Sequence, residues 1–164
     1  MLGKGSYQTG NCIQAILPTQ ADYFKEEMIC EILSIPPGKP DMERLLDVMV
    51  WPEVVSTNLI ETPKGRSFEG QYLSGVKLVV EVNLKEKLTY VANEPTQKAH
   101  ASHYETLKSV FVILPEEIDG KKTCELYRAN RITVTAYVEE VCARMLDTRT
   151  VHKCVMLFVD VKIC

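Results

Sequence analysis

The sequence holds one tryptophan, and aromatic residues make up only 7% of it. A surface that stacks on sugar rings needs such residues in number, so there is little material for a glycan platform. No two of the six cysteines have the C-x-x-C spacing, which argues against a zinc ribbon and a thioredoxin-type motif. No apolar run approaches the ~18 residues that a membrane-spanning helix requires. Nineteen Lys and Arg are interspersed with 22 Asp and Glu, for a net charge of −3, so there is no basic footprint for nucleic acid. The first 20 residues carry one lysine and the short apolar run Ala15-Ile16-Leu17, too little for a secretory signal. The expectation is a protein made in a cytosol, with neither nucleic acid nor membrane as partner.

What the chain does have is period two. From Val76 to Tyr90 the even positions read Val76, Leu78, Val80, Val82, Leu84, then Leu88 and Tyr90, with mostly polar residues between. That is a strand with one buried face. At 164 residues the chain suits one domain, able to bury roughly 70% of its unfolded surface. Residues 1–20, with Gly3, Gly5 and Gly10, read as a flexible N-terminal arm, and 21–164 as the domain.

Residues 23–35 read as a first strand, closed by the turn Pro36-Pro37-Gly38. Met42, Leu45, Leu46 and Met49 then fall at i, i+3, i+4 and i+7, which predicts a short helix. Pro40 and Asp41 stand at its start, and Pro52 stops it. Strands are predicted over 54–61, 67–73, 76–92, 103–114, 123–145 and 151–163, separated by Pro, Gly and Asn turns. Glu86 interrupts the apolar alternation, and a bulge or bend is expected there. The fold class is all-β with one short helix, a β-sandwich or flattened barrel. Leu78, Val80, Val82, Val134, Val138, Leu157 and Val159 are expected to line one shared core.

No catalytic, cofactor-binding or metal-binding set emerges. His100 and His103 are three apart, which on a strand puts them on opposite faces. The acid pairs Glu26-Glu27, Glu116-Glu117 and Glu139-Glu140 are adjacent residues, so each pair also splits between faces. Cys142 and Cys154 look like a hairpin disulfide, being equidistant from Thr148. Register speaks against it. Ile132, Val134, Ala136 and Val138 are even, whereas Val155, Leu157, Val159, Val161 and Ile163 are odd. Paired residues must then sum to an odd number, and 142 with 154 does not. On this reading Cys30 and Cys142 are buried, reduced and act as small hydrophobes, while Cys12, Cys154 and Cys164 are the candidates for intermolecular crosslinks.

Ile35-Pro36, Lys39-Pro40-Asp41, Glu43, Leu45 and Leu46 resemble the start of a SPOCS domain. Gly65, Ser67, Glu69-Gly70-Gln71, Leu73 and Gly75 resemble its middle signature. Leu88, Tyr90-Val91-Ala92, Gln97 and His100, then Phe111-Val112 and Leu114-Pro115, resemble the segments that follow. That family occurs in endospore-forming anaerobes. The resemblance implies a single-domain member without the family's LysM module, and no enzymatic activity. Its implied role is a structural, self-assembling protein of the spore coat, exosporium or a spore surface appendage. It would be made in the mother-cell cytosol and end on the spore surface, with itself and other coat proteins as partners and intermolecular disulfides as its lock. The alternative expectation is a monomeric adaptor for another coat protein or a cell-wall glycan.

Overall fold

The computed structural model describes residues 8–9 and 16–164. In chain order the elements are β1 (Gln8–Thr9), β2 (Tyr23–Ser34), β3 (Met42–Glu61), β4 (Gly65–Arg66), β5 (Tyr72–Leu73), β6 (Val76–Ala92) and β7 (Ala99–Leu114). Then come β8 (Glu117–Ile118), β9 (Lys121–Lys122), α1 (Thr123–Arg128), β10 (Ile132–Met145) and β11 (Thr150–Ile163). The class is all-β, as the alternation predicts. One sheet has the order β1-β10-β11-β2, the other β3-β6-β7, and every neighbouring pair is antiparallel. The sheets pack face to face, with β10 lying by β3 and β2 by β7, and they do not close into a barrel. Tyr104 of β7 donates its hydroxyl hydrogen to the Ser34 carbonyl of β2 at 2.9 Å across one of these junctions.

The even residues of β6 are buried from Val76 to Ala92 without exception. They feed two apolar clusters. Leu78, Val80, Val82, Leu157 and Val159 share one of them, and Val134 packs against it. Val138 belongs to the other, with Leu88, Tyr90, Val141 and Val155. The single core expected from sequence is therefore two.

Glu86 is one of the residues between them, and no bulge accompanies it. Pairing of β6 with β7 runs unbroken from Val76↔Leu114 to Val91↔Ala99, so Glu86 keeps its inward place. An unpaired carboxylate could not stay there, because burying a lone charge costs far more than one side chain contributes. Lys153, fully buried on β11, pairs with it. The Lys153 ammonium also lies 3.0 Å from Glu31 of β2, and Glu31 lies 2.7 Å from Lys108 of β7. Burial raises the Glu86 pKa above the ordinary carboxylate value, against the opposing bond from Lys153. Burial pulls Glu31 the same way, but hydrogen bonds from Lys108 and Lys153 outweigh it and hold Glu31 low.

The expected helix at 42–49 is instead the start of β3. Met42, Leu45 and Val48 point inward, three residues apart. Register shifts at Met42/Arg44 and Leu45/Asp47 each insert one extra residue, turning period two into period three. Leu46, which a helix would bury, is exposed. Pro52 does not stop the element. β3 is an edge strand, where a missing N–H need not break a ladder. The expected strand over 67–73 shrinks to the two-residue β5, paired with β4.

The expected strand over 123–145 begins instead with α1. Asn130, at φ 54°, takes the left-handed position just beyond that helix, a conformation asparagine tolerates. Thr123 is buried and donates its hydroxyl hydrogen to the Pro115 carbonyl at 2.6 Å. Tyr127 reaches back to the Thr57 carbonyl at 2.6 Å, fastening the helix to β3.

Candidate functional site

β2 carries apolar side chains on both of its faces. Its outward positions are Phe24, Glu26, Met28, Cys30 and Ile32, all exposed. Its inward side carries Lys25, Glu27 and Glu31 beside Ile29 and Leu33. Glu31 and Lys25 are used at the junction with β7, while Glu27 lies 3.7 Å from Lys25. Glu31 bonds Lys108, and the Lys25 ammonium lies 5.6 Å from the centre of the Phe111 ring. The apolar groups are left facing water. Phe24, Met28 and Ile32 are each more than half exposed. Phe24 stacks on Phe158 at 5.5 Å between ring centres, and Phe158, itself buried, meets Tyr137 at 6.1 Å. Leu107, Phe111 and Ile113 present a second apolar row on the outer face of β7.

A row of cysteines crosses this outer face. Cys142 of β10 stands opposite Cys154 of β11, which stands opposite Cys30 of β2. Cys30 and Cys154 form a disulfide, and Cys142 is a free thiol. This corrects three expectations. Cys154 is bonded within the chain, Cys30 is exposed rather than buried, and Cys142 faces outward with them. The cause is a bulge at Glu139. Up to Val138↔Leu157 the pairs sum to an odd number, as the apolar pattern demands. From Glu140↔Met156 onward they sum to an even one. One extra residue turns β10 over, so Val141 and Ala143 go inward and Cys142 outward.

The two pairs in this row differ in spacing. A residue in the middle strand turns its N–H and C=O toward one neighbour only. It is a hydrogen-bonded partner on one side and a non-hydrogen-bonded partner on the other. The second kind brings Cα atoms closer, about 4.5 Å against about 5.5 Å. Cys30 and Cys154 are 4.0 Å apart at Cα, so theirs is the narrow side. The wider, hydrogen-bonded side then falls to Cys142.

His152 lies two residues before Cys154 on the same face, its Nε2 3.9 Å from the Cys154 sulfur. One donor atom each from Cys30, His152 and Cys154 lie within 4.8 Å of one another. Such a set could hold a soft metal only with both thiols free. With the disulfide in place, the chemistry on offer is sulfur exchange. The signal in the sequence is the spacing of His152 and Cys154, two apart, which on a strand puts both on one face. His100 and His103 do lie on opposite faces of β7, with His100 3.4 Å from Glu94 and stacked on Tyr90.

The remaining crosslink candidates are separate from this row. Cys164 is an exposed free thiol, its sulfur 3.5 Å from the Thr133 hydroxyl. Cys12 lies outside the described residues. Cys124, on α1, lines a recess of about 290 Å³ together with Lys64, Glu116 and Lys122. Comparison with family models, with curated proteins and with solved structures finds no match for the chain.

Proposed function

We propose that this chain is a structural building block that assembles with copies of itself, and that its place is the outer layers of a spore. The observation that carries self-association is the outward row of exposed apolar side chains on β2, Phe24, Met28 and Ile32. Exposed apolar side chains grouped in this way on a folded domain, here with Glu26 between Phe24 and Met28, mark an interaction surface. The occupant we assign is a second copy. A two-fold arrangement sets the strip against itself, apolar on apolar, and lets two β2 edges run side by side. The spore assignment rests on the resemblance to SPOCS domains. Disulfides between chains, through Cys12 and Cys164, would then lock contacts already made. Cys164 is an exposed free thiol, open to a partner sulfur.

Negative-stain microscopy and sedimentation of the purified protein, with and without reductant, test this reading. The expected result is assemblies in both states, more resistant to dilution when oxidised. A monomer at high concentration in both states overturns it.

A further inference from the structure

The cysteine row has the layout of an exchange relay. A thiolate breaks a disulfide by attacking one sulfur along the axis of the bond, from the side away from the leaving sulfur. Cys142 stands on that side of Cys154, with Cys30 on the other. The Cys142–Cys154 pair occupies the wide side of the ladder, where Cα atoms lie about 5.5 Å apart. That is within the commonest spacing for disulfides, roughly 5.5–6 Å. All three positions are at least partly open to solvent.

We infer that Cys142 is an internal nucleophile that exchanges with the Cys30–Cys154 disulfide and hands the free thiol to Cys30 at the sheet edge. The Cys142 thiol loses its proton to solvent, and its sulfur attacks the Cys154 sulfur. A Cys142–Cys154 bond forms as the Cys154–Cys30 bond breaks. The electron pair leaves on the Cys30 sulfur, which takes a proton from water or from His152, whose ring lies beside both sulfurs. One disulfide and one thiol stand on each side of the equation, so no oxidant is needed.

The substrate of the released Cys30 thiolate is the disulfide of a second copy, a step that rests on the proposed self-association. Cys30 lies within the apolar strip, so a two-fold contact through that strip brings each Cys30 toward its counterpart. Attack on the partner's Cys30 sulfur forms a Cys30–Cys30 bond between chains and releases the partner's Cys154 as a thiol. Two chains begin with two disulfides and two thiols within the row and end with the same numbers. The crosslink is thus made by rearranging bonds that each chain already carries.

The test uses the oxidised full chain in deoxygenated, reductant-free buffer, trapped with iodoacetamide and mapped by peptide mass spectrometry. Wild type is expected to yield chains alkylated at Cys30 and joined from Cys142 to Cys154. In Cys142→Ser, alkylation of Cys30 should be slower on the order of 100-fold. An attacking thiol from another chain lacks the millimolar effective concentration of one held in the same sheet. Cys30→Ser, oxidised, should show the Cys142–Cys154 bond directly, which guards against misreading a folding defect in the first variant. Cys30 alkylation in Cys142→Ser at the wild-type rate overturns the inference, as do reduced Cys142 and Cys154 in oxidised Cys30→Ser. If self-association itself is wrong, Cys30–Cys30 dimers vanish while Cys30 alkylation in wild type remains, so the two failures are distinguishable.

Discussion

Replacing Lys153 by Met isolates the role of the charged groups between the two sheets. Lys153 is fully buried and bonds Glu86, itself 1% exposed, and Glu31. Methionine fills similar volume but leaves the Glu86 carboxyl without its cation. Removing one partner of a buried pair costs about 3–5 kcal/mol, which for a chain of this size lowers Tm by about 6–20 °C. The companion variant changes both groups, Glu86→Leu with Lys153→Met. It removes the desolvation cost along with the attraction, and such replacements range from neutral to about 1–4 kcal/mol stabilising. Glu31 keeps Lys108 in either case. Urea unfolding of the oxidised protein, followed by circular dichroism, measures both variants under one condition. The reasoning fails if Lys153→Met stays within about 1 kcal/mol of wild type, or if the double variant is less stable than the single one.

Other expectations follow from the same arrangement. Val80→Ala and Leu157→Ala, both in the fully buried cluster, should each cost about 2–4 kcal/mol in the same unfolding assay. Lys77→Ala and Lys85→Ala, at partly and largely exposed positions, should each cost about 0.5 kcal/mol or less. Glu86 and Glu31 should leave opposite marks on stability against pH. The Glu86 pKa is raised, so its contribution is fully present below the ordinary value of 4.5 and is lost as pH rises through the raised one. The Glu31 pKa is lowered, so its contribution stands above 4.5 and is lost as pH falls through the lowered one. Unfolding of Glu86→Gln and Glu31→Gln across an acidic-to-neutral series should therefore give difference curves of opposite slope.

The alternation of β6 was plain in the sequence because nothing interrupts that strand. Elements that carry bulges were harder to read. Met42 and Leu45 suggest a helix because two bulges stretch the inward spacing of β3 to three residues, and the next inward residue is Val48 rather than the Met49 of a helical face. The turn-over of β10 did leave a trace. Apolar residues occupy even positions through Val138 and odd ones from Val141, with Glu139-Glu140 between. Reading that change of phase as a bulge would have put Cys142 outward and opposite Cys154. Lys153 could not be found as the partner of Glu86, since the two are 67 positions apart and meet only when the sheets stack. The outward strip of β2 was hidden for a related reason. Its apolar positions alternate as a core face would, and only the sandwich shows which side is inside.

Sedimentation velocity in excess reductant, comparing wild type with Phe24→Ser/Ile32→Glu, tests self-association through β2 most directly. Ile32 is mostly exposed, while Phe24 is half-exposed and stacked on Phe158, so the variant should lose about 1 kcal/mol of stability and remain folded. Reduction removes every disulfide and leaves the apolar contact to act alone. The account predicts a concentration-dependent assembly for wild type and a monomer for the variant. Equal association of the two proteins, or a monomeric wild type at high concentration, would contradict it.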